Sequence, residues 1–251
     1  MVCGINLDHI SIVLKRPRYS ENIGAAVRAM QNMGIRSLMV VDPESYDIEK
    51  IKKLATHTCA DAVATIRIFK TLRDALAPVG YVVGTTARSG GQRQVIRSPF
   101  ILAKKIAPIS LKNHVAIVFG PEDRGLTNED LRLCHITVNI PTADFSSLNL
   151  AQAVMVICYS IHMTKIREKS AFSPRLATRL ELDGMYAQLK DTLLKIAYIN
   201  PENPDYWMYR MRRFLSRLPL RAGEVSMIRG ICNHINRYGE KCYKDGLNNK
   251  K

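Results

Sequence analysis

The chain has 251 residues, 47% of them hydrophobic and 24% charged, enough to bury one substantial core and a smaller second one. Lys and Arg number 37 against 22 Asp and Glu, and the formal net charge of +15 favours a polyanionic partner without saying which. No apolar run is long enough to span a bilayer and no signal pattern precedes the first strand, so membrane insertion is excluded and a cytoplasmic protein is expected.

In chain order, Ile10 to Leu14 is the first strand candidate. RPRYSENIGAAVRAMQNMG then reads as a helix: Ser20 can cap it, Glu21 suits its positive end, and Gly34 can stop it. Ile23, Ala26, Val27, Met30 and Met33 fall on one face, which Arg28 cannot fully share; by pattern alone such an arginine is a solvated side chain. Leu38 to Val41, Ala64 to Phe69 and Tyr81 to Val83 follow as strands, the last running into Gly84, Thr85, Thr86, Ala87 and a basic loop with Gly90 and Gly91.

Residues 115–152 hold the densest pattern. Val115 to Phe119 is apolar and β-branched, as in a buried parallel strand, and Gly120 ends it. Gly120 and Gly125 bracket Glu122, Asp123 and Arg124 at a strand end, where backbone amides in open α/β sheets face ligands. Thr127 can cap a short helix with Asp130 as its partner, Thr137 to Ile140 is the next strand, and Pro141 stops it. Ser146, Ser147 and Asn149 crowd the entry of an apolar helix, expected to begin at Leu148 and to run through Ile161. Each of these polar residues taken alone is equally well a turn former or a cap.

Strands alternating with helices predict an α/β domain, a mostly parallel sheet with helices on both faces. It is expected to span residues 1–167, with a polar linker at 168–174 and a small, basic α-helical domain at 175–251. In that last region Leu176, Leu180, Met185, Leu189, Leu193 and Ile196 recur at helical spacing. Arg210, Arg212, Arg213, Arg217, Arg221, Arg229 and Arg237 accumulate beside Tyr206, Trp207 and Tyr209, which can grip RNA or, for the aromatics, pack between helices. The six cysteines, Cys3, Cys59, Cys134, Cys158, Cys232 and Cys242, form no CxxC pair, so neither zinc spacing nor a disulfide framework is present and no metal is expected. Neither a GxGxxG fingerprint nor a P-loop occurs, against a dinucleotide or nucleoside triphosphate.

FGPEDRGL, NIP and FSSLNLAQAV, in that order, resemble the C-terminal motifs of the SpoU branch of the SPOUT RNA methyltransferases. The upstream segment with Asn22, Gly24 and Arg28 resembles the N-terminal motif of the same branch, and YVVGTTARSGGQRQ its cofactor-lining segment. LCHITVNIPTADFSSLNLAQAV, with RMRRFLSRLPLRAGEVSMIRGICNHI, is similar to the bacterial TrmJ group. The resemblance covers nearly the whole chain. It implies a C-terminal trefoil knot in the α/β domain, S-adenosyl-L-methionine as cofactor, and a homodimer whose active site is completed by the partner subunit. The implied reaction is methylation of the ribose 2′-hydroxyl at position 32 of the tRNA anticodon loop, with RNA and not DNA as substrate.

The resemblance further implies that Gly84, Thr85, Thr86, Ala87, Gly120, Ile140, Ser146, Ser147 and Leu148 hold the cofactor, largely through backbone groups. Asn22, Ser147 and Asn149 would orient polar groups near the reacting oxygen, with Glu122 bracing the pocket. The family assigns deprotonation to the residue matching Arg28. An arginine pKa above about 12 makes a poor base, and a bidentate phosphate clamp that also stabilises the developing alkoxide is the better physical role. Two other readings stand beside this one: an rRNA 2′-O-methyltransferase of the same family, and a non-catalytic RNA-binding protein. The intact Asn22, Arg28, Glu122, Ser147 and Asn149 weigh against the last.

Overall fold

The computed structural model describes residues 4–56, 59–87, 95–143, 148–164 and 174–248. They fall into two compact units, Met1–Arg175 and Leu176–Lys251.

In the first unit a 3-10 turn, Leu7–His9, leads into strand β1 (Ile10–Lys15) and helix α1 (Ser20–Asn32). β2 (Ser37–Val41), α2 (Ile48–Ala55), α3 (Ala60–Ala64), β3 (Arg67–Phe69), α4 (Leu72–Leu76) and β4 (Tyr81–Thr85) follow. The unit closes with β5 (Val95–Ile96), α5 (Pro99–Ser110), β6 (Val115–Phe119), α6 (Asn128–Arg132), β7 (Ile136–Val138) and α7 (Leu150–His162). The strands form one seven-stranded sheet in the order β3-β2-β1-β6-β4-β7-β5, with every neighbouring pair parallel.

The mostly parallel sheet expected from the sequence is therefore present, and side-chain alternation explains its two covered faces. Val13, Met39, Val41, Val82, Ala116 and Val118 pack with Leu72, Ala75 and Leu76 of α4 and with Leu126 and Cys134 beside α6. Ile12, Leu14, Val40, Val83 and Ile117 point the other way and are fully buried; on that side α5 contacts β6, and α1 and α5 pack on α7. Each such side chain contributes roughly 1.5–3 kcal/mol relative to exposure, before chain entropy opposes it.

Several local expectations shift. The third strand covers only Arg67–Phe69, because Ala60–Ala64 coils into α3, and Ile68 is exposed on an edge strand. The two-residue β5 carries too short a pattern to be read from sequence. β7 ends at Val138, leaving Ile140 in the following loop, and α7 starts at Leu150 instead of Leu148. Ser20 is the first residue of α1, and Tyr19 takes the cap position without a side-chain bond. The Ser20 hydroxyl instead accepts from Asp47 N at 2.8 Å and bonds Ser45 Oγ at 2.9 Å, latching α1 to the α2 entry. Gly34 stops α1 at φ +78°. Gly24 lets α1 meet α2 backbone to backbone: a Cβ there would collide with the Ile51 carbonyl oxygen.

The second unit holds α8 (Arg179–Lys195), α9 (Pro204–Leu215) and α10 (Ala222–Asn248) around Ala177, Leu182, Met185, Tyr186, Met208, Leu220 and Val225. Thr178 and Glu181 close a capping box on α8. Leu182, Met185 and Tyr186 define its buried stripe, so Leu180, half a turn away from Leu182, is exposed, as is Ile196 past the helix end. Burial of the Tyr186 ring raises its hydroxyl pKa above the ordinary value. Among the described residues no helix is long and apolar enough to cross a membrane, and no group of three His, Cys, Asp or Glu could hold a metal ion.

Candidate active site

The site sits where the C-terminal ends of β1, β6, β4 and β7 lie side by side, the edge at which open parallel sheets bind ligands. Its centre is a chain of hydrogen bonds joining three segments far apart in sequence. Asn22 Nδ2, in the first turn of α1, donates to Glu122 Oε1 at 2.7 Å. Asn149 Nδ2 donates to Asn22 Oδ1 at 3.0 Å. The Asn149 Oδ1 accepts from the amides of Ala151 at 2.9 Å and Gln152 at 3.4 Å, which makes Asn149 the N-cap of α7. At the other end Glu122 Oε2 accepts from the Arg18 amide at 3.0 Å. Backbone donors thus fix both ends, and the amide orientations of Asn22 and Asn149 follow from them.

Backbone geometry aims these groups. Arg16 and Asp42, at the ends of β1 and β2, have φ of +48° and +46°. Such left-handed turns cost a non-glycine residue of order 1 kcal/mol or more. Their amides still extend the ladders, Arg16 N to Val41 O at 2.8 Å and Asp42 N to Phe69 O at 2.9 Å. The turn at Arg16 brings the Arg18 amide under Glu122. Around it Glu44 receives three arginines: Arg16 at 3.4 Å, Arg18 at 3.5 Å and Arg124 at 3.8 Å. Asp123 pairs with Arg124 at 3.5 Å and Arg18 at 3.8 Å. Composition alone did not single out Glu44 or the Arg18 amide; the RPRY run ahead of the helix was their only signal.

The β6–α6 loop folds back on itself. A Cβ on Gly120 would strike the backbone of Gly125 and Leu126, and Gly125 itself has φ +69°. Thr127 and Asp130 form both halves of a capping box, with Lys15 Nζ 3.7 Å from Asp130. Gly84 is buried opposite Val118, and a Cβ there would come within 2.9 Å of Cys134 Sγ and 3.0 Å of Leu131 Cδ2. Thr85 Oγ1 donates to Val118 O at 3.1 Å, Thr86 N to Val138 O at 2.9 Å, and Asn139 Nδ2 to Thr86 O at 3.0 Å. These bonds knit the ends of β4, β6 and β7 into one rim, which continues through the exposed Ala87 and the half-buried Gly120 and Ile140.

The structure therefore brings together Asn22, Glu122 and Asn149, with the half-buried Leu148 next to Asn149. Arg28 stands apart on the exposed side of α1, and among the described residues it has no ion pair or hydrogen bond. Ser146 and Ser147 lie outside the described residues.

The chain is similar to known proteins along most of its length. The SpoU rRNA methylase family matches residues 9–159, and the tRNA methyltransferase TrmJ C-terminal domain matches residues 180–244. The tRNA (cytidine/uridine/adenosine-2'-O-)-methyltransferase TrmJ of Pseudomonas aeruginosa is 36% identical over 92% of this chain and 95% of its own length. The uncharacterized tRNA/rRNA methyltransferase LasT of Escherichia coli K12 is 42% identical over 75% of this chain and 82% of its own. The crystal structure of TrmJ from Z. mobilis superposes with a TM-score of 0.75 at 30% identity, covering 90% of this chain and 98% of that one. By the extent of the family match and by its likeness to these relatives along most of its length, the chain belongs to the SpoU methylase family.

Proposed function

We propose that the protein is an S-adenosyl-L-methionine-dependent tRNA ribose 2′-O-methyltransferase, acting in the cytoplasm as a homodimer on the cytidine or uridine at position 32 of the anticodon loop. The observation that carries this reading is the chain from Glu122 through Asn22 to Asn149, within a member of the SpoU family. The tRNA preference draws on the TrmJ relatives and on the TrmJ-type match at residues 180–244. Buried free thiols at Cys59, Cys134, Cys158 and Cys232 suit a reducing compartment.

Methyl transfer to a hydroxyl is an in-line displacement, so alignment of the nucleophile supplies much of the acceleration. When bound, S-adenosylmethionine contributes an electrophilic methyl group. The residues that would hold it are Gly84 to Ala87, Gly120 and Ile140 on the rim, with Ser146, Ser147 and Leu148. The fit rests on the closely folded Gly120 loop and on a rim of main chain that can meet a flat, largely neutral adenosine through backbone groups. Asn22 and Asn149 present amides already locked by their own bonds, so little reorganisation accompanies reaction. The exposed guanidinium of Arg28 is available to clamp a substrate phosphate and stabilise the developing alkoxide, most simply in a site shared with a second subunit. Residues 1–167 form the catalytic domain in this reading, 168–174 the linker, and 175–251 a tRNA-contacting domain. In this reading the α/β domain carries the family's trefoil knot in its C-terminal part. Support comes from the strand order, in which β7 lies between β4 and β5 with Thr85, Val138 and Ile96 in register.

Incubation with labelled S-adenosylmethionine and total cellular RNA tests the reading. The expected product is a 2′-O-methylated pyrimidine in the tRNA fraction; label confined to rRNA, or on a base, would overturn it.

A further inference from the structure

The arginines of the second unit do different jobs, and α9 sorts them. Met208, Met211 and Leu215 turn one side of α9 into the core with Met185 and Tyr186, and Arg212 lies over the Tyr186 ring at 5.2 Å from its centroid. Arg229 is likewise engaged, its Nε donating to Gln188 Oε1 at 2.9 Å. The outward side is aromatic as well as charged. Trp207, Arg210 and Phe214, spaced i, i+3 and i+7, share a stripe flanked by Tyr206, and the exposed Arg217 follows just past the helix end. Phe214 is 63% exposed, Tyr206 52% and Trp207 39%, an unusual concentration for a surface helix. Arg210 lies over the Trp207 ring at 5.7 Å, and Tyr206 meets Trp207 edge-on with ring centroids 5.9 Å apart. Asp205, the one carboxylate in α9, is held by Lys190 Nζ at 2.7 Å, which leaves the stripe cationic.

We infer that this stripe is a docking platform for unpaired RNA bases, with Trp207 and Phe214 stacking on the bases and Arg210 and Arg217 holding the intervening phosphates. Flat rings interleaved with guanidinium groups match a single strand, whose bases are splayed and whose backbone is anionic. A second copy of the same stripe is the poorer occupant, since pairing would oppose its arginines to one another. Duplex RNA keeps its base faces stacked and would leave the rings without partners. The inference rests on the tRNA methyltransferase reading and deepens it: this domain takes hold of an unpaired loop and not only of backbone charge.

Trp207 is the only tryptophan of the chain, so its fluorescence in the full-length protein reports the contact directly. An oligoribonucleotide of about eight unpaired residues should quench it saturably, while a duplex with the same number of phosphates should leave it nearly unchanged. Phe214→Ala should weaken single-strand binding about tenfold by labelled-RNA anisotropy. Arg210→Ala should lower the salt dependence of log affinity by about 0.7 per decade. Tyr238→Ala, an equally exposed aromatic on α10, should change neither. With tRNA as the varied substrate, Phe214→Ala should raise KM and keep kcat. Equal quenching by duplex, or unchanged single-strand affinity in a folded Phe214→Ala protein, would overturn the inference. So would a Phe214→Ala protein that changes only self-association. Loss of wild-type methyl transfer with stacking intact would instead count against the functional reading alone.

Discussion

The hydrogen bonds through Asn22 can run in only one direction, and reversing them in two steps tests the site. Arg18 N–H enters Glu122 Oε2, the Ala151 and Gln152 amides enter Asn149 Oδ1, and the bonds of 3.0 and 2.7 Å between them run from Asn149 to Asn22 to Glu122. Glu122→Gln is nearly isosteric, yet it adds a donor to a chain closed at both ends by donors. If the new amide accepts from Arg18, its amino group faces Asn22 Nδ2. Flipping Asn22 moves the clash to Asn149, and flipping Asn149 breaks the cap of α7. Asn22→Asp makes the opposite error and sets two carboxylates against each other. The double variant repairs both, because the introduced glutamine accepts from Arg18 and donates to the introduced aspartate, which still accepts from Asn149. Each single change removes a charge-assisted bond worth about 1.5–3 kcal/mol. Partial exposure lets water relieve some of this, so each single should destabilise by about 1–2 kcal/mol and the double by less than either, a coupling of about 2 kcal/mol. Urea unfolding followed by circular dichroism measures the cycle. A double variant as unstable as the sum of the singles would refute the directional chain.

Other outcomes follow from named positions. Arg28→Lys should cut methyl transfer severely, since it keeps charge but not the planar fork, while S-adenosylhomocysteine affinity by calorimetry stays near wild type; near-normal turnover would reject the geometric role. Mixing Arg28→Ala with Ser147→Ala subunits should restore part of the activity if the two residues serve one site from different protomers, and verified subunit exchange without recovery would count against a shared site. Gly24→Ala drives a methyl group into the Ile51 carbonyl and should destabilise by about 1–3 kcal/mol in thermal or urea unfolding. Burial pushes the Cys158 thiol pKa up to about 12, so at pH 8 it stays protonated and a thiol reagent should modify exposed Cys242 well before Cys158, as peptide mass spectrometry can read.

What the sequence made legible follows from how local each signal is. Val115–Phe119 is apolar throughout and β-branched at Val115, Ile117 and Val118, and a strand buried on both faces needs nothing else. The Thr127 and Asp130 capping box and the Gly34 stop are written within a few residues. The resemblance also pointed to Asn22, Glu122 and Asn149 as one site. Their bonds could not be read, because they join positions 100 and 127 residues apart and depend on β6 pairing beside β1. Tertiary competition explains the miss at Ser20, whose hydroxyl is drawn away from its own helix by Asp47 N. The left-handed turns at Arg16 and Asp42 carry no glycine signal at all. On α9 the pattern left packing and RNA contact open for the aromatics; only the placement of Met208 inward, with Phe214 and Trp207 outward, distinguishes the faces.

The most direct measurement uses an unmodified tRNA transcript and a second identical but for a 2′-deoxy ribose at nucleotide 32, each incubated with the full-length protein and S-adenosylmethionine. The expected result is one methyl group per molecule, mapped to the 2′-oxygen of nucleotide 32 in the first transcript and absent from the second. Methylation that persists on the deoxy transcript, or that maps to a base or another ribose, would contradict the assigned target.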